Sequence, residues 1–303
     1  MTINVFHRAV AGSMRYVPRP IIWRFSQRYI AGTHLADAYR KVADLNAEGC
    51  SATIDVLGED SSEPGQVDAA RELYMDALQG IQTGSLDCGI SVKLSEMGLR
   101  FDATRCIDVV REILARATSY RNFVRIDMED SSVTSVTLDV YRELRSEFEN
   151  VGAVIQSCLR RSEDDVADLL GTGPTNIRLC KGIYIEPEEI SYRDPDDIRN
   201  SYRRLLEQLF EGGATQVAIA TQDPALVEHA EQVIGRLDVP KERYEFQMLL
   251  GVAGPMRRRL VAKGHPMRVY VPFGELWFNY SMRRLRENPH IINHIVGNLF
   301  RAR

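Results

Sequence analysis

Apolar residues along this chain follow two alternating rhythms. Short runs rich in Val, Ile and Leu lie at 52–57, 90–94, 123–128, 153–157, 177–180, 216–220, 244–250 and 268–271. Between them, at 36–46, 67–78, 106–116, 137–148, 164–170, 198–210, 225–237 and 256–262, apolar positions recur every three or four residues. The first rhythm is that of strands buried on both faces, and the second that of helices with one apolar stripe. About eight strand–helix units over this length suit a (β/α)8 barrel. Periodicity alone does not separate a closed barrel from a doubly wound open sheet.

After the last run the pattern changes. Residues 268–288 read RVYVPFGELWFNYSMRRLREN. The strand is expected to stop at Pro272 and Gly274, and a helix to begin at Glu275. On that helix Tyr280, Arg283, Arg284 and Glu287 share one face, with Phe278, Met282 and Leu285 opposite. Two arginines near a helix end commonly only complement the macrodipole. Here they come with a tyrosine and a carboxylate, and guanidinium forks bind carboxylates bidentately. A second helix follows, with Asn288 as cap, Pro289 in its first turn and an apolar stripe through Ile291, Ile295 and Leu299. His290 and His294 are four apart on it. No third ligand is nearby, so they are read as a helix face and no metal site is expected.

Composition narrows the classes. The chain has 303 residues, of which 44% are hydrophobic and 26% charged, enough to bury a large core. No composition break or linker divides it, so 1–303 is read as one domain, with 1–35 a helical N-terminal extension. A net charge of −4 argues against general nucleic-acid binding. Five Cys with no CxxC pair point to a reducing, cytoplasmic compartment. Cys50, Cys158 and Cys180 read as small buried apolar residues. No apolar run is long enough to span a bilayer. Residues 1–30 carry five Arg and no acid. They are read as an extension packed on the domain, and contact with an anionic membrane surface is the alternative.

In barrels of this kind chemistry sits where strands end. The strand ends here supply Asp55, Lys93, Asp127, Gln156, Arg178, Lys181, Gly182, Tyr184, Thr221, Gln222, Gln247 and Tyr270. Each alone has a structural use, as a solvated cation, a cap or a buried amide. Together they are more polar than a purely structural barrel needs.

The ordered motifs IDVLGE (54–59), SVKLSEMG (91–98), RIDMED (125–130), IQSCLRR (155–161) and RLCKGIY (178–184), closed by Tyr-x-x-Arg-Arg at 280–284, resemble bacterial single-function proline dehydrogenases. The resemblance covers the chain from about Ala31 onward. It implies a distorted (β/α)8 barrel of TIM type that holds FAD, with the C-terminal Tyr-x-x-Arg-Arg helix over the barrel mouth. It implies that Arg283, Arg284 and Lys93 clamp the carboxylate of L-proline, and that Tyr184, Tyr270, Tyr280 and Leu179 enclose its ring. Asp127 would hold the cationic clamp by ion pairing. Gln156, Arg178, Lys181, Gly182, Thr221, Gln222 and Glu287 would contact FAD. The implied reaction is hydride transfer from proline C5 to flavin N5, giving Δ1-pyrroline-5-carboxylate, with electrons passed on to a quinone.

The chain departs from the family pattern at four places. Gln222 stands where many members have His, Cys158 replaces an aromatic, Ile183 replaces a smaller residue, and Leu250 stands where some members have Tyr. Gln222 can hydrogen-bond but cannot titrate as His does. Other readings of the same residues are a flavoenzyme for another cyclic amino acid such as hydroxyproline, and a barrel lyase using Lys93 or Lys181 as a Schiff-base nucleophile. A binding protein that has lost flavin through Gln222 is a third.

Overall fold

The computed structural model describes residues 19–58, 60–278 and 280–282. Eight parallel strands close into a barrel: β1 (Ser51–Val56), β2 (Cys88–Val92), β3 (Val124–Ile126), β4 (Val151–Gln156), β5 (Asn176–Cys180), β6 (Gln216–Ala220), β7 (Tyr244–Leu249) and β8 (Met267–Phe273). Closure is made by β1 pairing with β8, from Ser51 opposite Arg268 to Val56 opposite Phe273. The open-sheet alternative is thereby excluded.

Helices wrap the outside: α1 (Arg19–Ser26), α2 (Leu35–Ala47), α3 (Pro64–Thr83), α4 (Ala103–Ser119), α5 (Thr134–Glu147), α6 (Ser162–Gly171), α7 (Pro195–Glu211), α8 (Pro224–Arg236) and α9 (Gly254–Ala262). Their buried stripes keep the helical period, as Cys106, Val109, Val110, Ile113, Leu114 and Ala117 do on α4. Local chemistry sets where they begin. Asp102, Asp194 and Asp223 cap α4, α7 and α8 by accepting backbone N–H bonds. Proline stands in the first turn of α3, α7, α8 and α9, where its missing N–H costs nothing.

The barrel interior is unusually polar. Between β3, β4 and β5, Arg125 is buried and donates to the Ala153 and Asn176 carbonyls, each at 2.9 Å. Gly152 makes this possible, since a Cβ there would lie 2.3 Å from the Arg125 guanidinium. On the neighbouring wall Arg268 bridges both Glu245 oxygens at 2.9 and 3.0 Å. Burial, then repulsion from Arg178, pulls the Arg125 guanidinium down to about 9.

One expected boundary moves. β8 does not stop at Pro272 but runs to Phe273. Proline is tolerated because it costs only an N–H, and its carbonyl accepts from Ala31 N at 2.9 Å. That bond ties the segment after α1 to the barrel rim. Tyr29, Ile30, Leu57 and Tyr280 form a small cluster there, with Trp23 edge-on to Trp277 at 4.7 Å between ring centroids. The expected helix after β8 is seen in helical backbone at 277, 278 and 280–282. Of the 1–35 extension expected from the sequence, α1 covers Arg19–Ser26, and residues 1–18 lie outside the described residues.

The five cysteines are free thiols. Cys50 and Cys158 are buried as expected, but Cys180 is only half-buried and faces a cavity at the strand ends. Among the described residues, no helix is long and apolar enough to cross a membrane.

Candidate active site

A cavity of about 630 Å³ opens at the C-terminal ends of the strands. Every strand contributes to its wall: Asp55, Lys93, Asp127, Gln156, Arg178, Thr221, Gln247 and Tyr270 all line it. Parallel winding makes this inevitable. Each strand delivers its last inward side chain, and the loop that follows it, to the same end of the barrel.

The wall is organised around two ion pairs. Lys93, just after β2, donates to Asp55 Oδ1 of β1 at 2.5 Å. Arg178 donates to Asp127 Oδ1 at 2.6 Å, to Gln247 Oε1 at 2.6 Å and to Ser91 Oγ at 3.2 Å. The second oxygen of Asp127 accepts from the Tyr270 hydroxyl at 2.7 Å. Arg178 also lies 5.3 Å from the centre of the Tyr270 ring. Gln247 is held from below by Glu245, which accepts from it at 2.5 Å. The polar interior of the barrel therefore continues unbroken into the cavity wall.

These contacts set the charges. Burial acts against the Lys93 ammonium, but Asp55, Asp127 and Glu96 outweigh it and raise its affinity for a proton. Burial pushes the Asp55 carboxyl up, opposed mainly by Lys93. With three carboxyl groups around it, Lys93 stays charged. Burial, reinforced by Asp127, lifts the Tyr270 phenol well above its ordinary range. It is a hydrogen-bond donor at any working pH.

A second cluster stands at the ends of β5 and β6. Lys181 donates to Asp223 Oδ2 at 2.5 Å, and Arg199 donates to the same oxygen at 2.8 Å. Burial works against the Asp223 carboxylate, yet these two cations hold it down to about 2. Gln156 is fixed by donating to the Glu129 carbonyl at 2.9 Å. Gly182 lines the cavity with a φ of +93°, and a Cβ there would fall 2.3 Å from Cys158 Sγ. Backbone is thus exposed to the cavity where a side chain has no room.

Most of the expected residues meet here. Lys93, Asp127, Tyr184, Tyr270 and Tyr280 line the cavity, as do Gln156, Arg178, Lys181, Gly182, Thr221 and Gln222. Two placements differ from expectation. Leu179 is fully buried and does not line the cavity. Its neighbour Arg178 points inward, so the pleat turns Leu179 to the helix layer, where its carbonyl accepts from Tyr202. The apolar wall is made instead by Met248, Leu249 and Leu276. Asp127 pairs with Arg178 and Tyr270, while Lys93 is held by Asp55, which was seen in the sequence as a strand-end residue but given no role. Arg283, Arg284 and Glu287 lie outside the described residues, as do His290 and His294. Among the described residues no group of three or more His, Cys, Asp or Glu could hold a metal ion.

The donor set fits a flavin. One side of the cavity offers two cations, two amides, a hydroxyl and bare backbone, which suits ring carbonyls, ring nitrogens and phosphates.

Comparison with known proteins adds a lineage. The family model described as Proline dehydrogenase matches residues 38–295. Proline dehydrogenase 1 of Bacillus subtilis subsp. natto is 36% identical over 265 residues, covering 87% of each chain. The proline dehydrogenase of Deinococcus radiodurans is 32% identical over 289 residues, covering 94% of this chain and 93% of its own. Among solved structures, proline utilization A from Bdellovibrio bacteriovorus, inactivated by N-propargylglycine, matches with a TM-score of 0.81 and 26% identity. It covers 87% of this chain and 32% of that longer one.

Proposed function

This chain belongs to the proline dehydrogenase family, and from that premise we propose that it oxidises L-proline to Δ1-pyrroline-5-carboxylate in the cavity at its strand ends. The observation that carries this reading is the meeting of the ordered strand-end motifs on one cavity wall, with Lys93, Arg178 and Tyr270 within it. The family is flavin-dependent, and FAD is the form proposed. Gln156, Arg178, Lys181, Gly182, Thr221 and Gln222 are the residues proposed to hold it, a reading supported by their meeting at one cavity. When bound, the flavin supplies the acceptor for the hydride lost from proline C5.

The residues of the chain do the rest. Lys93 offers a fixed positive charge to the substrate carboxylate, and Arg283 and Arg284 are proposed to complete the clamp. Anchoring the carboxylate fixes which ring carbon faces the acceptor. Met248, Leu249 and Leu276 with Tyr270 give the ring an apolar wall that excludes water. Arg178 is held rigidly by Asp127, Gln247 and Ser91, so it can present charge without reorganising. The amine must be neutral for hydride loss, because its lone pair stabilises the developing iminium. Among the described residues no histidine lines the cavity, and the proton leaves through water or the hydroxyl and carboxyl groups of the wall. A quinone is the proposed final acceptor, and contact of the Arg-rich residues 1–30 with a membrane would bring the two together.

The lyase reading needs a neutral lysine amine. Lys93 is held charged beside Asp55, and Lys181 is paired with Asp223, which favours the dehydrogenase. An absorption spectrum of the purified protein, before and after anaerobic L-proline, tests the proposal. Flavin bands that bleach with proline support it. Bands that persist move the question to another amine, and protein that takes up no flavin ends the reading.

A further inference from the structure

Behind the Lys93 side of the cavity lies a carboxyl group that the proposed chemistry leaves unused. Glu96 is 5% exposed, one turn beyond Lys93. Its Oε2 accepts from the buried Tyr74 hydroxyl of α3 at 3.1 Å. Its Oε1 fills the space that a side chain at Gly58 would occupy, 1.9 Å from that Cβ position. Gly58 itself lines the cavity. The carboxyl therefore stands directly behind the cavity wall, in the gap left by a glycine, and accepts its hydrogen bond from Tyr74.

We propose that Glu96 is a positioning residue for the substrate carboxylate, acting through Lys93: protonated, it leaves Lys93 beside Asp55 without a further charge, and ionised, it adds a negative charge next to that pair. The proposal rests on the functional reading above. The groups that face Glu96 are Lys93 just after β2, Asp55 on β1, Tyr74 on α3 and Glu129 after β3. Burial is the main cause that lifts Glu96 to about 8. Lys93 and the Tyr74 hydrogen bond oppose it, while Asp55 and Glu129 add to it. Its proton is thus exchanged in the range where an enzyme works. Linkage then requires the reciprocal effect, that an anion bound at Lys93 strengthens the hold of Glu96 on its proton.

The test is the pH dependence of the KM for L-proline in the wild type and in Glu96→Gln, whose amide keeps the Tyr74 contact and cannot ionise. At an effective dielectric constant of about 20, one added charge at this range weakens anion binding on the order of tenfold. The wild-type KM is expected to rise by that factor through pH 8, and the Glu96→Gln KM to stay flat over the same range. Infrared difference spectroscopy gives a readout free of turnover. A protonated carboxyl band that disappears near pH 8 in the wild type should be missing from the variant. If Glu96→Gln fails to fold, Tyr74→Phe should move the inflection to higher pH. An unchanged inflection in Glu96→Gln, or no titrating band in the wild type, overturns the role of Glu96 and leaves the dehydrogenase reading intact. A flavin that L-proline does not reduce at any pH overturns both.

Discussion

The Tyr270 hydroxyl donates to Asp127 Oδ2 at 2.7 Å across the mouth of the barrel, while Arg178 donates to the other oxygen at 2.6 Å. One carboxylate from the end of β3 thus joins β8 to β5. Asp127→Asn would leave the Arg178 guanidinium buried with no full counter-charge. A broken buried pair costs roughly 3–5 kcal/mol. Tyr270→Phe removes only one hydrogen bond to a charged group, at about 1.5–3 kcal/mol. Urea unfolding should rank the two variants in that order. Equal losses would mean that Arg178 draws its support from Gln247 and Ser91 instead.

Trp23 on α1 and Trp277 beyond β8 meet edge to face at 4.7 Å, and they are the only two tryptophans in the chain. Such a pair is worth about 0.5–1.5 kcal/mol beyond its area. Trp23→Ala should therefore loosen the 277–282 segment without touching the barrel. The KM for L-proline should rise several-fold, and the unfolding midpoint should move little. The emission of the remaining Trp277 should shift to longer wavelength as it becomes wetter. A large fall in the midpoint instead would make α1 part of the barrel's own stability.

The barrel was readable because parallel strands are buried on both faces, so each strand leaves an uninterrupted apolar run. All eight runs became strands, and the eight helical stretches between and before them became helices, while the helix expected after Asn288 lies outside the described residues. Ends were less legible. Helices α4 and α7 begin a turn earlier than their apolar stripes, because Asp102 and Asp194 cap them. The strand-end polar set was readable for the same topological reason, but its pairing was not. Asp55 and Lys93 are 38 positions apart, and spacing carries no information on which cation a carboxylate will meet across a barrel. Leu179 is different. The two-residue period of β5 already forbade both Arg178 and Leu179 from facing inward. Glu96 lies within SVKLSEMG, where its type and spacing point to no role. Its use follows from the absence of a side chain at Gly58, which only the fold brings beside it.

The same absence makes Gly58 testable. Alanine there would place a Cβ 1.9 Å from Glu96 Oε1. Overpacking of a buried site costs typically 1–3 kcal/mol. Gly58→Ala should lose stability in that range, and shortening the neighbour in Gly58→Ala/Glu96→Ser should restore part of it. The cycle should show a coupling between about 0.5 and 3 kcal/mol. Additive losses would mean that the two residues do not touch in solution.

Glu96 also makes stability depend on pH. Its carboxyl lies at about 8 in the folded chain, against 4.5 for the free side chain. A raised carboxyl binds its proton more tightly when folded, so the folded state gains most below pH 4.5. That gain is lost as pH rises from there through 8, and is gone above it. The group is almost fully buried, so the contribution is on the order of a few kcal/mol. Glu96→Gln cannot release a proton and should lack this slope. Urea midpoints at pH 5, 7 and 9 should fall steadily in the wild type relative to the variant, with the variant the more stable at pH 9. Parallel curves would mean that Glu96 is ionised throughout, with its charge balanced by Lys93.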